Sequence, residues 1–258
     1  MTDTVRTPEP SVASTGKHTA PPPTPSPPTP SHHRHPGDAL RLGAGTAVLA
    51  IALLAVQRDR LSTLEGDVFR LVNDLPSQIS PVLVVVMQAG TLAAALIGAV
   101  VMLVVAHRHR RAALDVVAAG TIAWFAARTV KTIVQRPRPT GLLADVLRFQ
   151  GEGHGFVSGH TAVAAALATA AGPYLPRRWR RALWALVWVV GFARIYVGAH
   201  LPLDVVGGAA LGWIIGAAIH LVLGAPHRVP GIDEAAAVLR RSGTRASHLQ
   251  PVPGTHRG

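Results

Sequence analysis

Three short polar clusters interrupt an otherwise apolar chain: Lys131 with Arg138, then Ser158-Gly159-His160, then Arg194, His200 and Asp204. Their types suit phosphoryl transfer. Lys131, Arg138 and Arg194 offer positive charge and directed donors to phosphate oxygens. Ser158 and Gly159 open an apolar run. If that run is a helix, its first amides are free and its dipole favours an anion there. Gly159 also lets backbone approach a ligand closely. His200 and Asp204 are four apart, so they share a face if a helix begins at or before His200. Asp204 would then fix the imidazole tautomer and stabilise the ring as charge develops. His160 is left to protonate a leaving oxygen.

Each residue also has a plainer reading. Arginines at the ends of membrane spans reach to the headgroups. Ser158 is a good helix N-cap. Asp204 would cap a helix whose turn Pro202 sets. A lone histidine near a membrane interface serves packing. The case for a site rests on convergence, and convergence depends on the elements that carry these residues.

Those elements read as membrane helices. Of 258 residues, 49% are hydrophobic and only 5% aromatic, with a mean hydropathy of +0.32. The apolar mass is Ala, Val, Leu and Gly, a mix that lets membrane helices pack closely. Apolar runs lie near 40–56, 79–106, 112–131, 159–175, 182–199 and 203–224. A span needs ~20 residues, which the second and sixth runs meet easily. The others are marginal and carry Arg41, Arg128, His160 and Arg194 near their ends, where polar groups cost least and often mark function. The expected fold is all-α, a polytopic bundle of six transmembrane helices over 40–224.

Loop charge sets the orientation. His107-Arg108-His109-Arg110-Arg111, Arg177-Arg178-Trp179-Arg180-Arg181 and the tail arginines Arg228, Arg240, Arg241 and Arg245 fall on one side of a six-span chain. The positive-inside rule makes that side cytoplasmic, with both termini. The loops 57–78, 132–158 and 200–202 are then outside, and all three clusters meet there. Leu61, Leu64, Val68, Leu71, Val72 and Leu75 recur at helical spacing in the first of these loops. They predict either a short helix on the outer membrane surface or a loop covering the bundle end.

The net charge of +12 would suit nucleic acid, but the arginines cluster between apolar runs, so no nucleic-acid partner is expected. With no cysteine, the chain has no disulfide and no Cys-based zinc site. Lysine occurs only at Lys17 and Lys131, which draws attention to Lys131 at a span end. Residues 1–39, with the Pro-rich stretch 21–30, predict a disordered cytoplasmic tail, and 225–258 a basic one. His32, His33 and His35 are read as part of a solvated tail rather than a metal-binding tract. No signal peptide is expected, because the first apolar run starts near Leu40.

Taken together, Lys131-x6-Arg138-Pro139, Ser158-Gly159-His160 and Arg194-x5-His200-x3-Asp204 resemble the three signature motifs of the type 2 phosphatidic acid phosphatase family. Order and internal spacing match over 131–204, and the six-span layout extends the likeness over about 40–224. The resemblance implies an all-α membrane enzyme that needs no metal or cofactor. It makes His200 the nucleophile that forms a phosphohistidine, oriented by Asp204. His160 protonates the leaving group and then activates water. Lys131, Arg138, Ser158, Gly159 and Arg194 hold the phosphate. The implied substrate is a lipid phosphate or diphosphate at the outer face of the cytoplasmic membrane. Undecaprenyl or decaprenyl diphosphate leads, with phosphatidic acid and phosphatidylglycerol phosphate as rivals. Two positions depart from the family pattern: Val157 stands where proline is usual, and Ala193 where serine is usual. Vanadium-dependent haloperoxidases share the constellation, but as larger soluble proteins. A non-catalytic lipid-phosphate transporter or scaffold, and a metal-dependent hydrolase on His160, His200 and Asp204, are the competing classes.

Overall fold

Eight helices follow one another in the computed structural model, which describes residues 32–33, 36–56, 60–105 and 110–226. They are α1 (Pro36–Ala55), α2 (Thr63–Asn73), α3 (Ser80–Val86), α4 (Leu92–Val105), α5 (Arg111–Val134), α6 (Gly159–Ala171), α7 (Arg177–Tyr196) and α8 (Pro202–Leu223). The described residues are otherwise turns, loops and short 3₁₀ segments, plus a two-residue antiparallel pairing of His32–His33 with Ala225–Pro226. The Pro-rich stretch, His35, Lys17 and the basic tail from 227 onward lie outside the described residues. Helix α1 starts ahead of Leu40, inside what the sequence suggested was tail.

Helix α6 is the hub, packing against α5, α7 and α8, while α1 lies on α8 and α4 on α5. Eight of the thirteen residues in its sequence, GHTAVAAALATAA, are Ala or Gly. Neighbours can therefore approach closely, and van der Waals contact replaces the hydrophobic drive that lipid cannot supply. Gly208 of α8 shows how close: a Cβ there would lie 2.4 Å from the Ser158 carbonyl oxygen.

The helix ends follow from local chemistry. Gln135, in a left-handed conformation at φ 53°, stops α5 just before Arg136-Pro137. Ser158 caps α6, its Oγ accepting the Thr161 amide. Pro202 opens α8, where its missing N–H costs nothing. Ser62 caps α2, so the stretch Thr63–Asn73 is a helix rather than a loop. It buries Glu65, Gly66, Phe69 and Asn73 and exposes Leu64 and Leu71.

Three features differ from the sequence reading. The run 79–106 is a broken pair, with a 3₁₀ segment at Met87–Gly90 and a bend of 71° before α4. The cause is local: Thr91 starts a new helix, its Oγ accepting the Ala94 amide and donating to the Gln88 carbonyl. Gly90 lies so close to α6 that a Cβ would sit 2.3 Å from the His160 oxygen. The cluster Arg177–Arg181 is the first turn of α7 and not a loop, because Pro176 starts the helix ahead of it. Finally, α1, the stretch Arg111–Gly141 and α8 are long and apolar enough to cross a membrane, and the bent pair adds a fourth if it counts as one span. Helix α6 has 13 residues, about 20 Å at 1.5 Å per residue. Four arginines open α7. Length and composition alone therefore support three to four spans rather than six.

Candidate active site

The ends of α5 and α7, the starts of α6 and α8 and the helix break at Gly90 surround a cavity of about 440 Å³. Lys131, Arg138, Gly159, His160, Arg194 and His200 all line it, together with Thr91, Trp124, Arg128 and Glu152. Residues separated by some seventy positions thus meet because antiparallel helices return the chain to the same end. Ser158 and Asp204 are fully buried behind the cavity wall. There the Ser158 amide donates to the Asp204 carbonyl at 2.8 Å, tying α6 to α8. The Ser158 hydroxyl accepts from Thr161 Oγ at 3.0 Å, so its visible contacts are those of a helix cap.

The basic side chains are held by neutral acceptors and not by carboxylates. Lys131 Nζ donates to the carbonyls of His154 and Gly155, each at 2.9 Å. Arg138 donates to the carbonyls of Glu152 at 2.9 Å and Ala199 at 2.8 Å. Arg194, only 6% exposed, donates to Met87 Sδ at 3.4 Å, and its buried Nε has no hydrogen-bond partner among the described residues. A guanidinium has five donors, so this one is poorly matched by protein and suited to an anion.

The loop that supplies those carbonyls is itself pinned. Asn73 of α2, fully buried, donates to the Tyr196 carbonyl at 2.9 Å and accepts the Leu147 amide at 3.0 Å. The Arg148 guanidinium stacks on Tyr196 at 4.4 Å and donates to the Asn73 and Leu75 carbonyls.

His200 lies in the α7–α8 connection and is 2% exposed. Helix α8 starts only at Pro202, so the shared helical face on which the sequence argument depended does not exist. Backbone geometry does the same work: the His200 amide donates to the Arg194 carbonyl at 3.2 Å, and Nδ1 comes to 3.5 Å from Asp204 Oδ2. That approach is close enough for charge but is not an aligned hydrogen bond, and Nδ1 has no partner among the described residues. Burial first, then the charges of Lys131, Arg194, Arg138 and His160, drives the ring's pKa well below the ordinary histidine value. His200 is therefore neutral near pH 7, the form with a free lone pair.

Asp204 holds more than the ring. Its Oδ2 accepts the Leu201 amide at 2.9 Å and its Oδ1 accepts Arg136 Nη1 at 2.9 Å. Arg136 in turn makes a two-pronged pair with Glu65 of α2, at 3.1 and 2.6 Å. The sequence reading passed over both Arg136 and Glu65. Arg136 stands two residues before the motif arginine, and Glu65 sits in a loop whose charges balance. Gly90, Trp124 and Arg128 were also missed as cavity residues, although Arg128 at a span end was a visible signal. Val157 and Ala193 are buried in the core. Among the described residues no three His, Asp or Glu side chains are arranged to hold a metal ion.

Residues 112–228 match the PAP2 superfamily, a segment that contains all three motifs. That segment, a little under half of the chain, is what is similar to the PAP2 superfamily. A lipid A 4'-phosphatase of Porphyromonas gingivalis is 32% identical over 78 residues, which cover 30% of this chain and 33% of that protein. The match thus spans about a third of the curated relative's length. The crystal structure of Aquifex aeolicus LpxE is similar with a TM-score of 0.57 and 27% identity, over 65% of this chain and 99% of that one. The transmembrane PAP2-type phosphatidylglycerolphosphate phosphatase of Bacillus subtilis shares the fold, with a TM-score of 0.57 at 18% identity, over 69% of this chain and 94% of that one. The PAP2 segment begins with α5 and leaves α1 to α4, Glu65 included, outside the match.

Proposed function

We propose that this chain is an integral membrane lipid phosphatase of the PAP2 superfamily that works through a phosphohistidine on His200. The observation that carries the proposal is the meeting of two histidines, one lysine and two arginines around one cavity at the bundle end. Lys131, Arg138, Arg194 and the amides at Gly159 hold the phosphate, backed by Ser158 as cap. With Nδ1–H directed at Asp204, the other ring nitrogen of His200 attacks phosphorus. The P–O bond to the lipid breaks, and His160 gives its proton to the departing oxygen. Asp204 offsets the positive charge that the imidazole acquires. His160, now neutral, takes a proton from water, which attacks the phosphohistidine, releases inorganic phosphate and restores His200.

The substrate is a lipid phosphate or diphosphate, with a prenyl diphosphate as first choice. Beyond the motif cations, the cavity carries Arg128, stacked at 4.7 Å on Trp124. It offers a further charge to a second phosphate. The chain spans the membrane six times, with α3 and α4 as one broken span and α6 as a short one embedded among its neighbours. Both termini are cytoplasmic and the cavity faces outward at the cytoplasmic membrane. The arginines opening α7 support that orientation.

The test is phosphate release by the purified chain from a panel of undecaprenyl diphosphate, phosphatidic acid, phosphatidylglycerol phosphate and lipid A. Turnover of at least one of them is expected, with the diphosphate fastest. Tight binding without release would favour the transporter or scaffold reading. Slower release from the diphosphate than from each monophosphate would remove the role given to Arg128.

A further inference from the structure

The catalytic end contains a second buried shell of charge that the three motifs do not include. Arg136, Glu65 and Asp204 are 1%, 5% and 0% exposed. One guanidinium serves two carboxylates: Nη1 reaches Glu65 Oε1 at 3.1 Å and Asp204 Oδ1 at 2.9 Å, and Nη2 reaches Glu65 Oε2 at 2.6 Å. Glu65 Oε1 also accepts the amide of Leu203, in the first turn of the helix that carries Asp204. The arrangement divides the two oxygens of Asp204. Oδ1 is taken by Arg136, while Oδ2 is left for the Leu201 amide and the His200 ring.

Charge counting shows what Glu65 adds. Arg136 alone against Asp204 would be a neutral pair with little left for the imidazole. With Glu65 on the other side, the three side chains sum to one negative charge. That surplus lies beside a ring surrounded by Lys131, Arg138, Arg194 and His160. In a buried setting the field of an uncancelled charge is felt strongly.

We infer that Arg136 and Glu65 are positioning residues for the reaction at His200. They fix the Asp204 carboxylate and keep it negative enough to stabilise the imidazole as the nitrogen–phosphorus bond forms. Neither touches the phosphate. Helix α2, outside the segment that matches the family, thereby supplies part of the catalytic apparatus. A purely structural clip would need the same contacts but would not need the net charge, and that difference makes the two roles separable. The inference rests on the phosphohistidine reading of His200.

The experiment uses the full-length chain purified in lipid vesicles, with Glu65→Gln as the principal variant. Glutamine keeps the shape and an acceptor for the Leu203 amide but removes the charge. The expected result is a fall in kcat of about 10- to 100-fold, the scale on which a misplaced catalytic group loses rate. KM should stay near wild type, while the thermal midpoint should fall because a buried ion pair loses one partner, so kcat is compared well below that midpoint. A wild-type kcat, or a change confined to KM or to the midpoint, would overturn the inference. If Glu65→Gln does not fold, Arg136→Lys tests the fixing of the Asp204 carboxylate instead of its charge, because it keeps the buried charge and loses the two-sided fork. A folded Arg136→Lys protein with reduced kcat supports the inference, and wild-type kcat refutes it. Failure of both variants to fold would assign the cluster to stability alone. A wild-type chain that releases no phosphate from any lipid sinks the functional reading along with this one. An active wild type with an unaffected Glu65→Gln variant sinks only the positioning role.

Discussion

The bundle buries ionisable groups at both ends, and the two ends balance them in opposite ways. At the end formed by the start of α1, the start of α5 and the close of α8, every buried charge meets a counterpart. Asp38 pairs with Arg41 and lies 3.7 Å from His220 Nδ1, while His220 Nε2 reaches the Ala170 carbonyl at 3.2 Å. Asp115 accepts from the Tyr174 hydroxyl and lies 3.8 Å from Arg111 Nε. At the other end Lys131, Arg138 and Arg194 meet carbonyl oxygens and a sulfur, and Asp204, the carboxylate beside His200, is shared with Arg136. Buried charge within a membrane is costly unless it is paired. The paired end is spent on holding helices together. The unpaired end holds a standing excess of positive potential, which an anionic substrate would satisfy.

That contrast gives predictions of decreasing size. The largest lies at the unpaired end, where His160→Ala should lower the rate on a lipid phosphate by about 10²- to 10⁴-fold, the usual worth of a general acid. A nitrophenyl phosphate, whose leaving group needs little protonation, should recover most of the first step. Equal losses on both substrates would take the acid role away from His160. At the paired end Asp115→Asn should do the reverse. It leaves kcat within about twofold but costs about 1–3 kcal/mol of stability, since Tyr174 and Arg111 lose a charged partner. A fall in kcat with unchanged thermal midpoint would break the division between the ends.

The smallest effect expected is that of mild acid. The proposed attack by His200 requires its neutral form, and its pKa is lowered by burial and by Lys131, Arg194, Arg138 and His160. The neutral form therefore persists until the pH falls through that lowered value. Titration from about pH 7 to pH 6 should cost little kcat/KM, since the ordinary histidine value is about 6.5. An acid limb centred at or above about 6.5, and removed by no substitution other than at His200, would contradict the buried setting of the ring.

The sequence carried the site further than it carried the fold. Motif spacing placed Lys131, Arg138, His160, Arg194 and His200 at one end because helix length and alternation decide which ends meet. Hydropathy could not find the break at Gly90. Leu, Val and Ala run on through both sides of it, and a Gly-Thr pair is unremarkable inside an apolar stretch. Pro176 before the arginine cluster was a legible helix start that charge counting obscured. Glu65 and Arg136 were invisible for a different reason. Their role exists only through a contact across 71 positions, and nothing local to Glu65 marks it among the other acidic residues of its loop. The amphipathic spacing around it left a helix and a loop both open, and α2 is the helix.

A covalent bond between phosphate and His200 is the step that most directly distinguishes the proposed mechanism. Acid-quenched reactions with labelled lipid phosphate should trap phosphate on the wild-type chain and none on His200→Ala. With a nitrophenyl phosphate as donor, His160→Ala should accumulate the adduct, because it also lacks the base that activates water. Phosphate that remains trapped on His200→Ala, and disappears on His160→Ala, would show that the two histidines have exchanged the roles given to them here.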